Sequence, residues 1–172
     1  MSQCIYCKQE LPEGSAFCPS CGKKQVIAYK QTFQRDGMSE KEFIEKINLW
    51  FQSYPQVANV KASFELKLRF GLLVNKYKLN SVTIEYEQFS GQNENQYAVE
   101  KLSRLALVKL SLDHLLARWQ KSNPGATVVS RNGGVNQRGQ IGSLLLFGIG
   151  AFNRSQLYLL YKFNRKKGPL VP

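Results

Sequence analysis

Residues 93 to 121 read "NENQYAVEKLSRLALVKLSLDHLLARWQK", and how this stretch divides between helix and strand decides the fold of everything around it. Val108, Leu112, Leu115 and Trp119 recur at the three- and four-residue intervals of a helical stripe. The spacing predicts one long helix from Glu94 to Lys121, closed by Asn123-Pro124-Gly125. Apolar residues also stand off that stripe. The middle of the segment is therefore expected to be buried on both sides, or the segment begins as a strand.

Towards the N-terminus, Ser39 and Glu42 form the pattern of a capping box. Phe43, Ile47, Trp50, Phe51 and Tyr54 follow at helical spacing, and Pro55 ends the helix. That aromatic stripe is expected to be core, with a partner groove as the alternative. From Val60 to Phe70 the period changes to two: apolar residues alternate with Lys61, Ser63, Glu65, Lys67 and Arg69, as on a half-buried strand. A second strand runs through Val82, Ile84 and Tyr86, with Thr83, Glu85 and Glu87 on its other face. The two are expected to form an antiparallel hairpin in which Lys61, Lys67 and Arg69 pair with Glu85 and Glu87.

Beyond Gly125 come a short strand (Thr127 to Ser130), a glycine-rich loop, an apolar run from Ile141 to Phe152 and a strand from Gln156 to Phe163. Residues 38–172 thus read as an α+β domain of order α-β-β-α-β-β, its helices packed on an antiparallel sheet. Residues 25–37 read as a linker with a short strand at Val26 to Tyr29. No internal repeat is apparent.

All four cysteines lie in residues 1–24, as Cys4-x₂-Cys7 and Cys18-x₂-Cys21. Paired C-x₂-C turns supply a tetrahedron of thiolates, the donor set of closed structural Zn²⁺ sites. A segment this short cannot bury a sufficient core without metal or disulfides. One structural Zn²⁺ is the expected cofactor. A disulfide pair suits an oxidising compartment, for which no secretory signal argues. A thioredoxin-like redox motif would need an adjoining βαβ unit. Iron remains the rival metal.

Residues 4–24 resemble the small bacterial zinc-ribbon family, whose second knuckle appears here as Cys18-Pro19-Ser20-Cys21-Gly22. The resemblance implies a structural zinc and says little about activity. The same knuckle is shared with rubredoxin-like iron proteins. Gly22 suits the positive φ expected after the knuckle. At the first knuckle, Tyr6 and Lys8 replace the small residue and glycine of the family pattern. Leu11 and Phe17 are expected to pack between the two halves.

The chain of 172 residues carries a formal net charge of +12. Asp113 is its last acidic residue, and nine basic residues follow it. One histidine and four metal-binding cysteines leave no usual nucleophile–base pair, and no phosphate loop is present. The chain therefore reads as non-enzymatic.

Binding is expected in "SRNGGVNQRGQIG", residues 130–142, where Arg131, Asn132, Asn136, Gln137 and Arg138 suit an anion, together with Arg154 and the cluster Arg165, Lys166 and Lys167. The expected partner is nucleic acid or a nucleoprotein. The alternatives are a protein-interaction or membrane-surface adaptor, with the ribbon docking a protein partner, and a rubredoxin-like redox protein. The apolar run of 12 residues is too short for a membrane span, and the chain is read as cytoplasmic.

Overall fold

The computed structural model describes residues 2–4, 6–12, 15, 17–23, 28–69, 76–88, 93–106, 111–136 and 153–164. A two-stranded ribbon, β1 (Ser2–Gln3) and β2 (Glu10–Leu11), accompanies the cysteines. Then follow β3 (Ala28–Gln34), α1 (Glu40–Ser53), β4 (Val57–Arg69), β5 (Lys76–Gln88), β6 (Asn95–Ala106), α2 (Leu112–Ser122), β7 (Ala126–Asn136) and β8 (Asn153–Asn164). They build two antiparallel three-stranded sheets, ordered β3-β5-β4 and β6-β8-β7. The fold is α+β, as expected. The order is β-α-β-β-β-α-β-β, because residues 28–34 of the expected linker and residues 95–106 of the expected long helix are strands.

The expected helix is divided because β6 is covered on both faces. Tyr97 and Val99 join the main core, while Leu102 packs with Leu115, Trp119, Leu157 and Leu159 under α2. A strand buried on both faces loses its apolar–polar alternation. Its residues can then mimic a helical stripe. The helix proper starts at Ser111, whose hydroxyl accepts the His114 N–H at 3.1 Å.

The two halves are one β-α-β-β unit used twice, contrary to the reading that no repeat is present. In both units the first strand pairs with the last, and the last two form a hairpin. Both hairpins carry a register shift at the same place, between Ala58 and Lys61 and between Val128 and Ser130. Trp50-Phe51-Gln52-Ser53-Tyr54-Pro55 is matched, 69 residues later, by Trp119-Gln120-Lys121-Ser122-Asn123-Pro124. The two helix caps share one geometry: φ −119°, ψ 69° at Tyr54 and φ −129°, ψ 61° at Asn123. Each tryptophan meets a tyrosine of its own sheet edge-on, Trp50 on Tyr86 at 5.2 Å and Trp119 on Tyr161 at 5.0 Å.

The units stack head to tail. The α1-facing side of the first sheet (Phe33, Phe64, Val82, Ile84) and the buried face of α1 (Phe43, Ile47, Phe51) close on Tyr97, Val99, Tyr158 and Leu160 of the second sheet. The equivalents of Tyr158 and Leu160 in the first sheet are Thr83 and Glu85, polar residues suited to a terminal solvent-facing surface.

Several polar contacts lock the stack. Asn48 on α1 donates to the Val99 carbonyl (3.0 Å) and accepts its N–H (2.7 Å), covering the outer edge of β6. The Ser130 hydroxyl accepts the Ala62 N–H (3.0 Å), and Asn132 donates to the Phe64 carbonyl (2.8 Å), joining β7 to the edge of β4. Glu40 accepts from the Leu79 N–H (2.9 Å), the Tyr158 hydroxyl and Lys101.

Gly133 and Gly134 lie within β7, which continues the expected short strand through residues 131–136 of the expected glycine-rich loop. A Cβ on Gly133 would overlap the Gln156 carbonyl, and one on Gly134 the ring of Tyr77. The glycines admit close strand and ring approach.

The hairpin pairing also differs from expectation. Lys61 stands opposite Glu85, but Lys67 stands opposite Lys78 and Arg69 opposite Lys76. The antiparallel register itself places Glu85 and Glu87 opposite the start of β4, far from Lys67 and Arg69. A register shift at Asn80, where Glu65 pairs with Ser81 yet Leu66 pairs with Leu79, then sets Lys78 and Lys76 opposite Lys67 and Arg69 in place of Leu79 and Tyr77. One extra residue in β5 reverses the facing of that strand's side chains beyond it, while β4 keeps its alternation.

Candidate metal centre and basic surface

Two matching turns place the cysteines. In the first, the Cys4 N–H donates to the Gln9 carbonyl (2.8 Å) and the Lys8 N–H to the Cys4 carbonyl (2.9 Å). In the second, Cys18 N–H donates to Lys23 (2.9 Å) and Gly22 N–H to Cys18 (2.8 Å). The residue after each pair is left-handed: Lys8 at φ 61° and Gly22 at φ 66°. Lys8 holds a conformation that glycine adopts without steric cost, which for other residues costs about 1–2 kcal/mol.

The four sulfurs lie within 4.8 Å of one another. Cys4 Sγ is 3.6 Å from Cys21 Sγ, and Cys7 Sγ 3.6 Å from Cys18 Sγ. A tetrahedron with metal–sulfur bonds of about 2.3 Å has edges of about 3.8 Å. The quartet therefore has the size a single metal ion requires. Cys4, Leu11 and Cys18 are buried together, with Cys21 against them. Phe17, expected between the two halves, is instead 60% exposed, because the sulfurs and Leu11 fill that small interior.

The thiols divide by position in their turns. Burial pushes Cys4 up, but the N–H groups of Cys7 and Tyr6, each 3.4 Å from its sulfur in the structure, help draw it down to about 6. Cys18 is lowered in the same manner: burial opposes, and the N–H groups of Cys21 and Ser20 prevail. At Cys7 the Gln9 N–H favours the thiolate, but the Cys4 sulfur and burial push the thiol up to about 12. Cys21 is raised likewise, against the Lys23 N–H. Thiols this close share protons unless a cation takes their place.

The expected anion-binding residues are dispersed among other contacts. Arg131 pairs with Asp113 at 2.9 Å, and Asn132 serves the β4–β7 junction. Arg154 lies half-buried in β8 opposite Asn136, its Nε without a hydrogen-bond partner among the described residues. Gln137, Arg138, the apolar run 141–152 and Arg165, Lys166 and Lys167 lie outside the described residues. What sequence reasoning missed is the run from Leu66 to Ile84, which holds Lys67, Arg69, Lys76 and Lys78 and no acidic residue. The acid-free composition was the available signal.

No helix among the described residues is long and apolar enough to cross a membrane. Comparison with protein-family models, curated proteins and solved structures returns no match for this chain.

Proposed function

We propose that this chain is a non-enzymatic binding protein with one structural Zn²⁺ in an N-terminal ribbon and a basic, duplicated domain that contacts nucleic acid. The observation that carries the metal reading is the compact quartet of Cys4, Cys7, Cys18 and Cys21. Four thiolates would complete a zinc tetrahedron, with N–H groups supporting the sulfurs. A closed site of this kind has no position for a reacting water.

The net charge of +12 supports a polyanionic partner. Arg138, Arg165, Lys166 and Lys167 add to the positive charge that the proposal invokes, while Arg131 and Asn132 first serve structural contacts. Metal analysis of natively purified protein tests the centre: one zinc per chain is expected, and a red, iron-bearing protein overturns it. Titration with labelled DNA and RNA at low and moderate salt tests the partner. Absence of binding at low salt rejects the nucleic-acid reading.

A further inference from the structure

We infer that the outer arm of the β4–β5 ribbon is a nucleic-acid-contacting element, holding phosphates through the cations Lys67, Arg69 and Lys78. The inference rests on the nucleic-acid reading above and assigns its surface. Lys67 stands opposite Lys78, and Arg69 opposite Lys76. Like charges directly opposite one another in a sheet destabilise it. Nothing within the arm offsets them, since residues 66 to 84 contain no Asp or Glu. The adjoining Glu65 carboxylate faces Lys67 but is bound by Asn80 (3.1 Å) and Ser81.

The Asn80 register shift creates this arrangement. On the near side of the shift, Ser81, Thr83 and Glu85 share the outer face of β5. Beyond it, the facing reverses and position 78 takes that face, beside Lys67 and Arg69. Leu66 and Leu79 turn to the opposite side, where Leu79 is fully buried. The ribbon is anchored there: the Tyr77 N–H donates to Gln156 (2.9 Å), and its ring covers Gly134.

The result is a two-stranded ribbon with one cationic face. Successive cations on that face are spaced about 7 Å along a strand and about 5 Å across the pair. A two-stranded ribbon is of a size that the DNA major groove admits, with phosphates on both flanks. An anionic backbone relieves the repulsion that the free protein bears.

The test uses the full metal-loaded chain with a labelled mixed-sequence DNA duplex across a salt series. The double substitution Lys67→Gln/Lys78→Gln should weaken binding about tenfold and reduce the salt slope by about 2. Removing opposed charges should leave its thermal midpoint unchanged or raised, which separates lost contact from lost fold. Lys67→Arg/Lys78→Arg should retain affinity, and Arg118→Gln/Lys121→Gln, on the exposed side of α2, should lose much less. If wild type binds and the arm variant binds equally well, the arm is not the contact and the nucleic-acid reading stands. If wild type binds no duplex or single strand at low salt, that reading falls and the assignment with it. Binding confined to phosphatidylserine vesicles overturns it in favour of a lipid surface.

Discussion

Gly133 and Gly134 are adjacent in β7, yet they meet different obstacles. A methyl group at Gly133 would collide with backbone, the Gln156 carbonyl, which β-pairing holds in place. At Gly134 it would collide with the Tyr77 ring, which can swing. Overpacking a closed site costs about 1–3 kcal/mol. Gly133→Ala should therefore lie at or beyond the upper end of that range and Gly134→Ala towards the lower, as measured by urea unfolding. Equal costs would mean that Tyr77 is as immobile as the strand. The sequence showed the glycines but not their purpose, because close approach from Gln156 and Tyr77 is a property of distant segments.

At the scale of elements, the outer edge of β6 has no strand beside it among the described residues and is served by a side chain from α1. Asn48 both donates to and accepts from Val99, replacing one rung of a sheet ladder. Asn48→Ala should cost about 1–3 kcal/mol, since it also leaves partly buried backbone groups unpaired. Hydrogen exchange should quicken at the Val99 amide before it does on β8. The helix α1 was legible from Ser39, Glu42 and the aromatic stripe, and the capping box is present in full. Strands β4, β5 and β8 were legible from period-two alternation or β-branched and aromatic content. The strand β6 was legible only as the alternative that the segment begins as a strand, because α2 covers one face and the first unit the other. The Asn80 shift was equally hidden: period two carries no mark of where one residue is skipped.

For the whole molecule, two packing systems share no residue among those described. The cysteine cluster contains Cys4, Leu11, Cys18 and Cys21, and the duplicated domain has its own cores. Metal removal by a strong chelator should unfold residues 2–23, as small metal-dependent modules do, and leave the domain's cooperative melting in place. Loss of both together would show that the ribbon supports the domain.

The stack of units depends on Glu40, whose carboxyl burial pushes up but Lys101, the Tyr158 hydroxyl and the Leu79 N–H hold below the usual carboxylate range. A depressed folded pKa adds stability above the unfolded value of about 4.3, and this is lost as pH falls through the folded value. Wild type should lose stability across that acid window, and Glu40→Gln should lose less of it while being weaker at neutral pH. Parallel pH–stability curves for the two would exclude Glu40 as a contributor.

By itself the sequence determined the clustered cysteine quartet, the α+β class, the capped α1 and the one-sided strands, because each is written in local spacing or in the period of a single buried face. Only the tertiary structure decided between helix and strand for β6, showed that a β-α-β-β unit occurs twice and placed Lys67, Arg69 and Lys78 on one face of a ribbon. These depend on what covers a second face and on which residue a pairing skips, and neither leaves a period in the chain.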